Sequence, residues 1–374
     1  MKNPLNKRLL RDLRSDFGKY MVIFLLMVMT IGMVSGFLVA DNSMIYAYRE
    51  SFEKYNIEDG HFSVLYPLNQ KRWQLASDAG VSLYKNYYLD QELDTGSTLR
   101  LFAMRTQVDL ACLMEGRFPE KTGEIAVDRM YADNNHLHVG DTLYPAEAEL
   151  LNTENSSAEK ETPENAESEN ADTDLTPESW TITGLVALSD YSTMFEKNSD
   201  SMFDSIQFGV AVVSEEEFSA YPNESKTFCY AWKYPQEPED DFQEKEWADA
   251  FLEAIAGKLP LTEYVPRYQN QAIQFTGEDM GGDRAMMIIL LYIVIVIFAF
   301  VFAVTISNTI SREATVIGTL RASGYTRREL IRHYMAMPLI ITLISSFIGN
   351  ILGYTWMKQI CADLYYASYS LPTY

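Results

Sequence analysis

Residues 20–40, 285–311 and 334–357 carry no Asp, Glu, Lys or Arg. Each run reaches the length of about 20 apolar residues that a helix needs to cross a bilayer core about 30 Å thick. The pattern predicts spans over 20–40, 285–308 and 334–357. Ahead of the first, Leu5, Leu9, Leu13 and Phe17 recur every fourth residue among Lys2, Lys7, Arg8, Arg11, Arg14 and Lys19. Residues 1–19 are therefore expected to form an amphipathic helix lying against anionic headgroups. A secretory signal begins in a similar way, but this apolar run is too long for one and reads as a retained anchor. Gly32-x-x-x-Gly36 and Gly349-x-x-x-Gly353 each permit close helix packing.

Between the first two spans the pattern changes. Ile45, Tyr48, Phe52 and Tyr55 share one helical face and predict a stalk helix. Beyond it, 61–66, 81–88, 98–104, 123–128, 137–143, 180–188, 207–213 and 227–233 read as strands. Helices are expected near 68–78, 129–135 and 242–256. In the last, Phe242, Trp247, Phe251 and Ile255 face inward and Gly257 is the stop. Ser214 with Glu217 reads as a capping box. Residues 276–284, rich in Gly and Asp, read as a hinge. The fold class is a membrane protein with α-helical spans and a large mixed α/β extracytoplasmic domain over 41–284, its strands and helices alternating in two lobes.

Between the second and third spans the polar link is short and punctuated. A helix can leave the membrane through Ile310, Ala314, Ile317 and Arg321, and Gly324 suits the left-handed residue that ends it. Thr326 and Glu329 form a second capping box, which starts the helix of the third span. Pro338 lies near the start of that span, where it costs little. The link at 309–333 is thus a stiff helical elbow carrying Arg312, Arg321, Arg327, Arg328 and Arg332 against Glu313 and Glu329.

Charge fixes the expected orientation. Of the 374 residues, 30 are Lys or Arg and 52 Asp or Glu, a net charge of −22. Residues 41–284 hold 47 acidic and 18 basic side chains, whereas basic groups prevail elsewhere. Short basic segments stay in the cytoplasm, which places the N-terminus and the elbow inside the cell membrane and 41–284 outside. So acidic a body repels phosphates, and nucleic acid is not an expected partner. Residues 145–179 hold 11 acidic residues and one Lys and nothing that could fill a core. They read as a disordered insertion without the register of a calcium loop.

Glu313, Ile317, Gly318, Leu320, Arg321, Ala322, Gly324, Glu329 and Leu330 together resemble the E-x-x-x-I-G-x-L-R-A-x-G-x-x-x-x-E-L signature of FtsX-like (MacB-type) permeases. Upstream, Glu115-Gly-Arg-Phe-Pro119, Gly123-Glu-Ile-Ala-Val127, Val139-Gly-Asp-Thr-Leu143 and Thr181-Ile-Thr-Gly-Leu-Val186 resemble the motif series of the MacB-type external domain, in order. The resemblance implies a permease dimer bound to a separate ABC ATPase, with Arg312, Glu313, Gly318, Arg321, Gly324, Arg327, Arg328 and Glu329 in the segment that receives the ATPase. It implies work passed to the external domain, for export or extraction of peptides, lipoproteins or toxins. The family has a fourth span, so this chain, with an external tail at 358–374, is expected to be part of a longer permease. The alternative is a membrane-anchored sensor that binds cationic peptides and signals without transport.

No G-x-x-x-x-G-K-[ST], H-E-x-x-H or G-x-S-x-G occurs, and neither enzyme activity nor a cofactor is expected. His136 and His138 share a strand face but lack a third ligand for zinc. Cys112 and Cys229 could pair outside the cytoplasm, although free thiols are the default.

Overall fold

The computed structural model of the protein describes residues 14, 17–146 and 177–372. Most of the expected helix at 1–19 and of the acidic insertion at 145–179 lies outside the described residues. The first elements are α1 (Phe17–Lys54), β1 (Gly60–Val64), α2 (Gln70–Ser77), β2 (Ser82–Lys85), β3 (Tyr88–Glu92), β4 (Thr98–Ala103), β5 (Cys112–Gly116), β6 (Glu124–Asp128), α3 (Arg129–Asn134) and β7 (Thr142–Leu143). Then come β8 (Trp180–Ala187), β9 (Phe208–Val213), α4 (Glu215–Ala220), β10 (Phe228–Lys233), α5 (Asp241–Ile255) and β11 (Leu261–Pro266). The last are α6 (Gln271–Arg312), α7 (Ala314–Ala322), α8 (Arg327–Leu352), a π turn over Gly353–Met357, and α9 (Lys358–Ser368). Two compact units result, Met1–Tyr46 with Glu278–Ala367 and Ala47–Gly277 with Ser368–Tyr374.

The first unit is helical. Phe17–Lys54, Gln271–Arg312 and Arg327–Ser368 are long and apolar enough to cross a membrane. The two Gly-x-x-x-Gly pairs meet each other here. A Cβ on Gly36 would stand 2.6 Å from Met357 Cβ and 2.9 Å from the Lys358 nitrogen, and one on Gly353 would stand 2.8 Å from the Gly32 carbonyl. Only glycine lets these backbones approach so closely. Ser35 Oγ donates to Asn350 Oδ1 at 3.0 Å beside the seam. Phe37 and Tyr365 prolong it, with ring centroids 6.0 Å apart. Pro338 falls in the interior of α8, because that helix starts at Arg327, before the apolar run. The segment after Met357, expected as an external tail, is helical as far as Ser368.

The second unit is mixed α/β, built on two sheets. The smaller, ordered β11-β1-β10-β2, is antiparallel throughout. One core gathers Phe62, Tyr230 and Trp232 from that sheet with Phe251 and Ile255 from α5. Phe251 and Ile255 face inward as their spacing predicts, but Phe242 is exposed, since it sits in the first turn of α5 where no sheet covers it. The larger sheet runs β3-β4-β9-β6-β8-β5, with β7 also on β8. Its β4–β9 and β6–β8 pairs are parallel. Leu99, Leu101, Val127 and Ala211 enter one core and Phe102, Ala126, Val210 and Val212 another, so the central strands are buried on both faces. That double burial explains why β9, Phe-Gly-Val-Ala-Val-Val, reads as an unbroken apolar run.

The motif series of the external domain closes on itself. Gly116 takes φ +74°, and a Cβ there would strike the Thr183 carbonyl of β8. Arg117 donates both terminal nitrogens to Glu124, at 2.8 and 2.6 Å. Ser214 caps α4 by accepting from the Glu217 N–H, yet Glu217 does not return the bond. Its carboxylate instead accepts from Trp180 Nε1 at 2.6 Å and the Gly123 N–H at 2.9 Å, so the expected box is half made. Of the strand expected over 137–143 only Thr142–Leu143 pairs, because Asp141 holds the preceding turn by accepting from the His138 N–H.

Residues 276–284 are helix, not hinge. In the α/β unit, Tyr48 of α1 lies over Gly277 and its hydroxyl donates to the Ile273 carbonyl at 2.8 Å. This contact ties the helix down where its glycines alone would weaken it. Cys112, Cys229 and Cys361 are all free.

Candidate functional site

The elbow between α6 and α8 is the first candidate. Its joint is Glu313, which leaves helical geometry at φ −101°, ψ 14°. The expected helix from Ile310 to Arg321 therefore bends rather than running straight. Backbone bonds nevertheless bridge the bend, from the Glu313 N–H to the Thr309 carbonyl and from the Ile317 N–H to the Glu313 carbonyl. Glu313 Oε2 also accepts from Tyr334 Oη at 2.7 Å, which fixes the bend against α8.

The far end of α7 closes with a glycine. Gly324 takes φ +97°, its N–H donates to the Arg321 carbonyl, and the Tyr325 N–H donates to the Leu320 carbonyl. These two bonds are the paired closure of a helix that ends in a left-handed residue. Two residues on, α8 starts with a reciprocal capping box. The Glu329 N–H donates to Thr326 Oγ1, and the Thr326 N–H donates to Glu329 Oε2 at 2.9 Å. Bend, helix, glycine stop and cap follow one another without a slack residue.

What this rigid segment does not do is pack. No residue of α7 is buried. Arg312, Arg321, Arg327, Arg328 and Glu329 are exposed, and Arg321, Arg327 and Arg328 form no ion pair with any described residue. Val316 and Ile310 are exposed beside them. A Cβ on Gly318 would meet open space, so no internal packing calls for a glycine there. Of the eight residues expected in the segment, Glu313, Gly324 and Glu329 shape it, and Arg312, Gly318, Arg321, Arg327 and Arg328 form its outer face.

A second candidate lies in the α/β unit, where a cavity of about 200 Å³ is lined by residues from Glu58 to Ala272. Arg100 crosses it, paired with both Asp90 oxygens at 2.8 Å and with the Tyr191 hydroxyl at 3.0 Å. Nearby, Arg105 pairs with Asp190 at 2.5 and 3.1 Å. Burial pushes the Asp190 carboxyl up, and Arg105 only partly offsets it. No motif points to this site: its residues are spread over more than 200 positions, from Glu58 to Ala272, and are gathered by the fold. Among the described residues no three His, Cys, Asp or Glu side chains are placed to hold a metal ion.

Residues 288–374 match the family model of the FtsX-like permease C-terminal domain. Comparison with curated proteins finds none that matches. The chain thus joins an FtsX-like permease C-terminal domain to a mixed α/β domain set between membrane helices, an arrangement consistent with an FtsX- or MacB-type permease. Such a domain suggests the permease subunit of an ABC transporter, a family whose members are typically non-catalytic and generally pair with an ABC ATPase.

Proposed function

We propose that this chain is the membrane subunit of an ABC transporter of the FtsX-like, MacB-type class, and that a separate ATPase docks on residues 309–333. One observation carries the reading: a helix between two spans that buries nothing of its own, yet is fixed at both ends and rimmed by Arg321, Arg327 and Arg328, which form no ion pair with any described residue. A free-standing helix of nine residues has little stability by itself, so this one is held by its ends. Displacing it would therefore displace α6 and α8 rather than a slack loop. The basic rim supports a cytoplasmic position for the elbow, with the acidic α/β unit on the other side. Work from the ATPase would pass along the membrane helices to that unit and serve export or extraction of peptides, lipoproteins or toxins. A second permease chain and the surrounding lipids complete the expected assembly.

The test is charge reversal of Arg321, Arg327 and Arg328 to Glu in the full chain. The expected outcome is loss of co-purification with the partner ATPase and loss of ATP-dependent transport, with membrane insertion unchanged. Normal pull-down and transport by the triple variant would sink the assignment. The second reading, a membrane-anchored sensor, is favoured by the polar cavity in the α/β unit.

A further inference from the structure

The smaller sheet of the α/β unit has an open edge that borders a groove. β2 ends the order β11-β1-β10-β2, and among the described residues no strand pairs with its far side. The Asn86 N–H donates to the Cys229 carbonyl, and two and four residues earlier Tyr84 and Ser82 stand opposite Ala231 and Lys233. In an antiparallel ladder these alternate residues carry the bonds to the partner strand. The backbone groups of Leu83 and Lys85 therefore point away from β10, and they meet no other bonding partner among the described residues. Residues 83–87 form one wall of a groove of about 630 Å³. The facing wall is made by 103–108, which follow β4, by Glu215, Phe218 and Ser219 of α4, and by Lys226. Its volume lies within the range of about 300–1,000 Å³ of ordinary ligand sites.

A short edge strand that carries a lysine is a usual guard against stray pairing. A guard of that kind stands in open solvent, whereas this edge faces a second wall across a space of ligand size. The lysine is also not alone. Lys85 is exposed and forms no ion pair with any described residue. Lys226 is half-buried, with Nζ 5.2 Å from the centroid of the Phe218 ring. It donates to the Ser219 carbonyl at 3.4 Å, which leaves two N–H bonds for another acceptor. Arg105 is spent on Asp190, and Glu215 is the one carboxylate on the walls described. Residues 41–284 carry 47 acidic and 18 basic side chains, so a groove with more free cations than carboxylates is an exception on this unit.

We propose that this groove binds an extended acidic peptide segment of a partner protein, which adds a strand to β2 and pairs its carboxylates with Lys85 and Lys226. The outward backbone groups of Leu83 and Lys85 offer up to four ladder bonds, which hold any extended chain, and the two lysines select for charge. The proposal concerns the α/β unit alone and stands whether or not an ATPase docks on the elbow.

The experiment is fluorescence-anisotropy titration of a labelled, capped Glu-Val-Thr-Val-Glu peptide with the full chain in lipid nanodiscs. Two relatives of the peptide are compared, one with lysine for both glutamates and one with its three central amides N-methylated. Saturable binding is expected from the first peptide, and binding at least roughly tenfold weaker from each relative, the value of one lost charged or ladder bond. Lys85→Glu and Lys226→Glu, each checked for an unchanged melting profile, are expected to weaken binding by a similar factor. Should Lys226→Glu fail to fold, the exposed Lys85→Glu still decides. Absence of saturation, equal binding of the N-methylated or the lysine peptide, or full affinity in the folded Lys85→Glu protein would overturn the proposal. Two other occupants are separated by the same assay. A fall in particle mass on Lys85→Glu would give the edge to a second copy of the chain, and binding seen only after removal of residues 147–176 would give the groove to the chain's own acidic segment. Either result overturns assignment to a partner.

Discussion

Gly36→Ala is the smallest change that tests the packing of the membrane unit. The added methyl would sit 2.6 Å from Met357 Cβ and 2.9 Å from Lys358 N and Met357 C. Ordinary carbon contacts begin near 3.4 Å, so α1 must withdraw by about 0.8 Å. Two of the three obstacles are backbone atoms, which no rotamer change can move aside. A gap of about 0.5–1 Å forfeits a quarter to a half of the dispersion well of each facing pair. The same retreat would stretch the Ser35–Asn350 bond, now 3.0 Å, beyond hydrogen-bonding reach. Overpacking of this kind costs about 1–3 kcal/mol, and an interhelical polar bond in a membrane about 0.6 kcal/mol. The expected loss is therefore about 2–3 kcal/mol, measured as the shift in SDS-induced unfolding of the full chain in mixed micelles. Gly281→Ala is the matched control, since a Cβ there meets nothing within 4 Å. It is expected to stabilise α6 by roughly 0.5–1 kcal/mol, the ordinary helix gain of Ala over Gly. If both variants move stability in the same direction, or Gly36→Ala leaves it unchanged, the close seam is not what holds these helices together.

Three further outcomes follow from named groups. Burial pushes the Asp128 carboxyl up to about 6, although Ser370 Oγ and the Met130 and Tyr131 N–H groups donate to it. Because the folded chain holds that proton more tightly than the unfolded one, Asp128 makes the α/β unit less stable as pH rises from 3.8 through about 6. The loss between pH 5 and pH 7.5 is on the order of 1 kcal/mol, and Asp128→Asn is expected to remove it from the pH profile of thermal melting; an unchanged slope refutes this. Glu217→Ala leaves Trp180 Nε1 and the Gly123 N–H unpaired and is expected to cost about 2–5 kcal/mol in urea unfolding, with Glu217→Gln clearly milder. Gly324→Ala imposes φ +97° on an L-residue and is expected to cost about 1–3 kcal/mol locally, seen as faster backbone hydrogen exchange over Ala314–Ala322.

Several of these features could be read in the chain before folding, and the reason is locality. The uncharged runs, the Thr326–Glu329 box and the Gly324 stop each depend on residues within one or two turns. The Gly-x-x-x-Gly pairs were visible as motifs, but that they face each other is a tertiary fact. Where distant groups compete, local reading fails. Glu217 abandons its own helix cap because Trp180 and Gly123 offer it buried donors. The glycine-rich stretch 276–284 stays helical, since the helix around it is long and Tyr48 braces it, and propensity is only a weak prior. At Glu313 the bend is fixed by Tyr334, 21 residues away. The cavity was invisible for the same reason, its walls being assembled by strands that share no motif.

The π turn at Gly353–Met357 makes chain length there a question of phase. Each residue of an α-helix advances about 100°, so small residues four apart drift about 40° per step from any straight partner. Gly349 and Gly353 are four apart, as are Cys361 and Tyr365, and the wide turn between them winds back the drift, as a vernier does. Deleting one residue inside the wide turn would let it revert to ordinary helix with its phase kept, whereas deleting one from the regular helix at 358–360 would shorten the span by only about 1.5 Å. That second deletion would nonetheless swing Cys361, Ala362 and Tyr365 by about a quarter of a revolution, away from the flank on which they are now buried. Two chains that score alike as spans would then present different sides to α1.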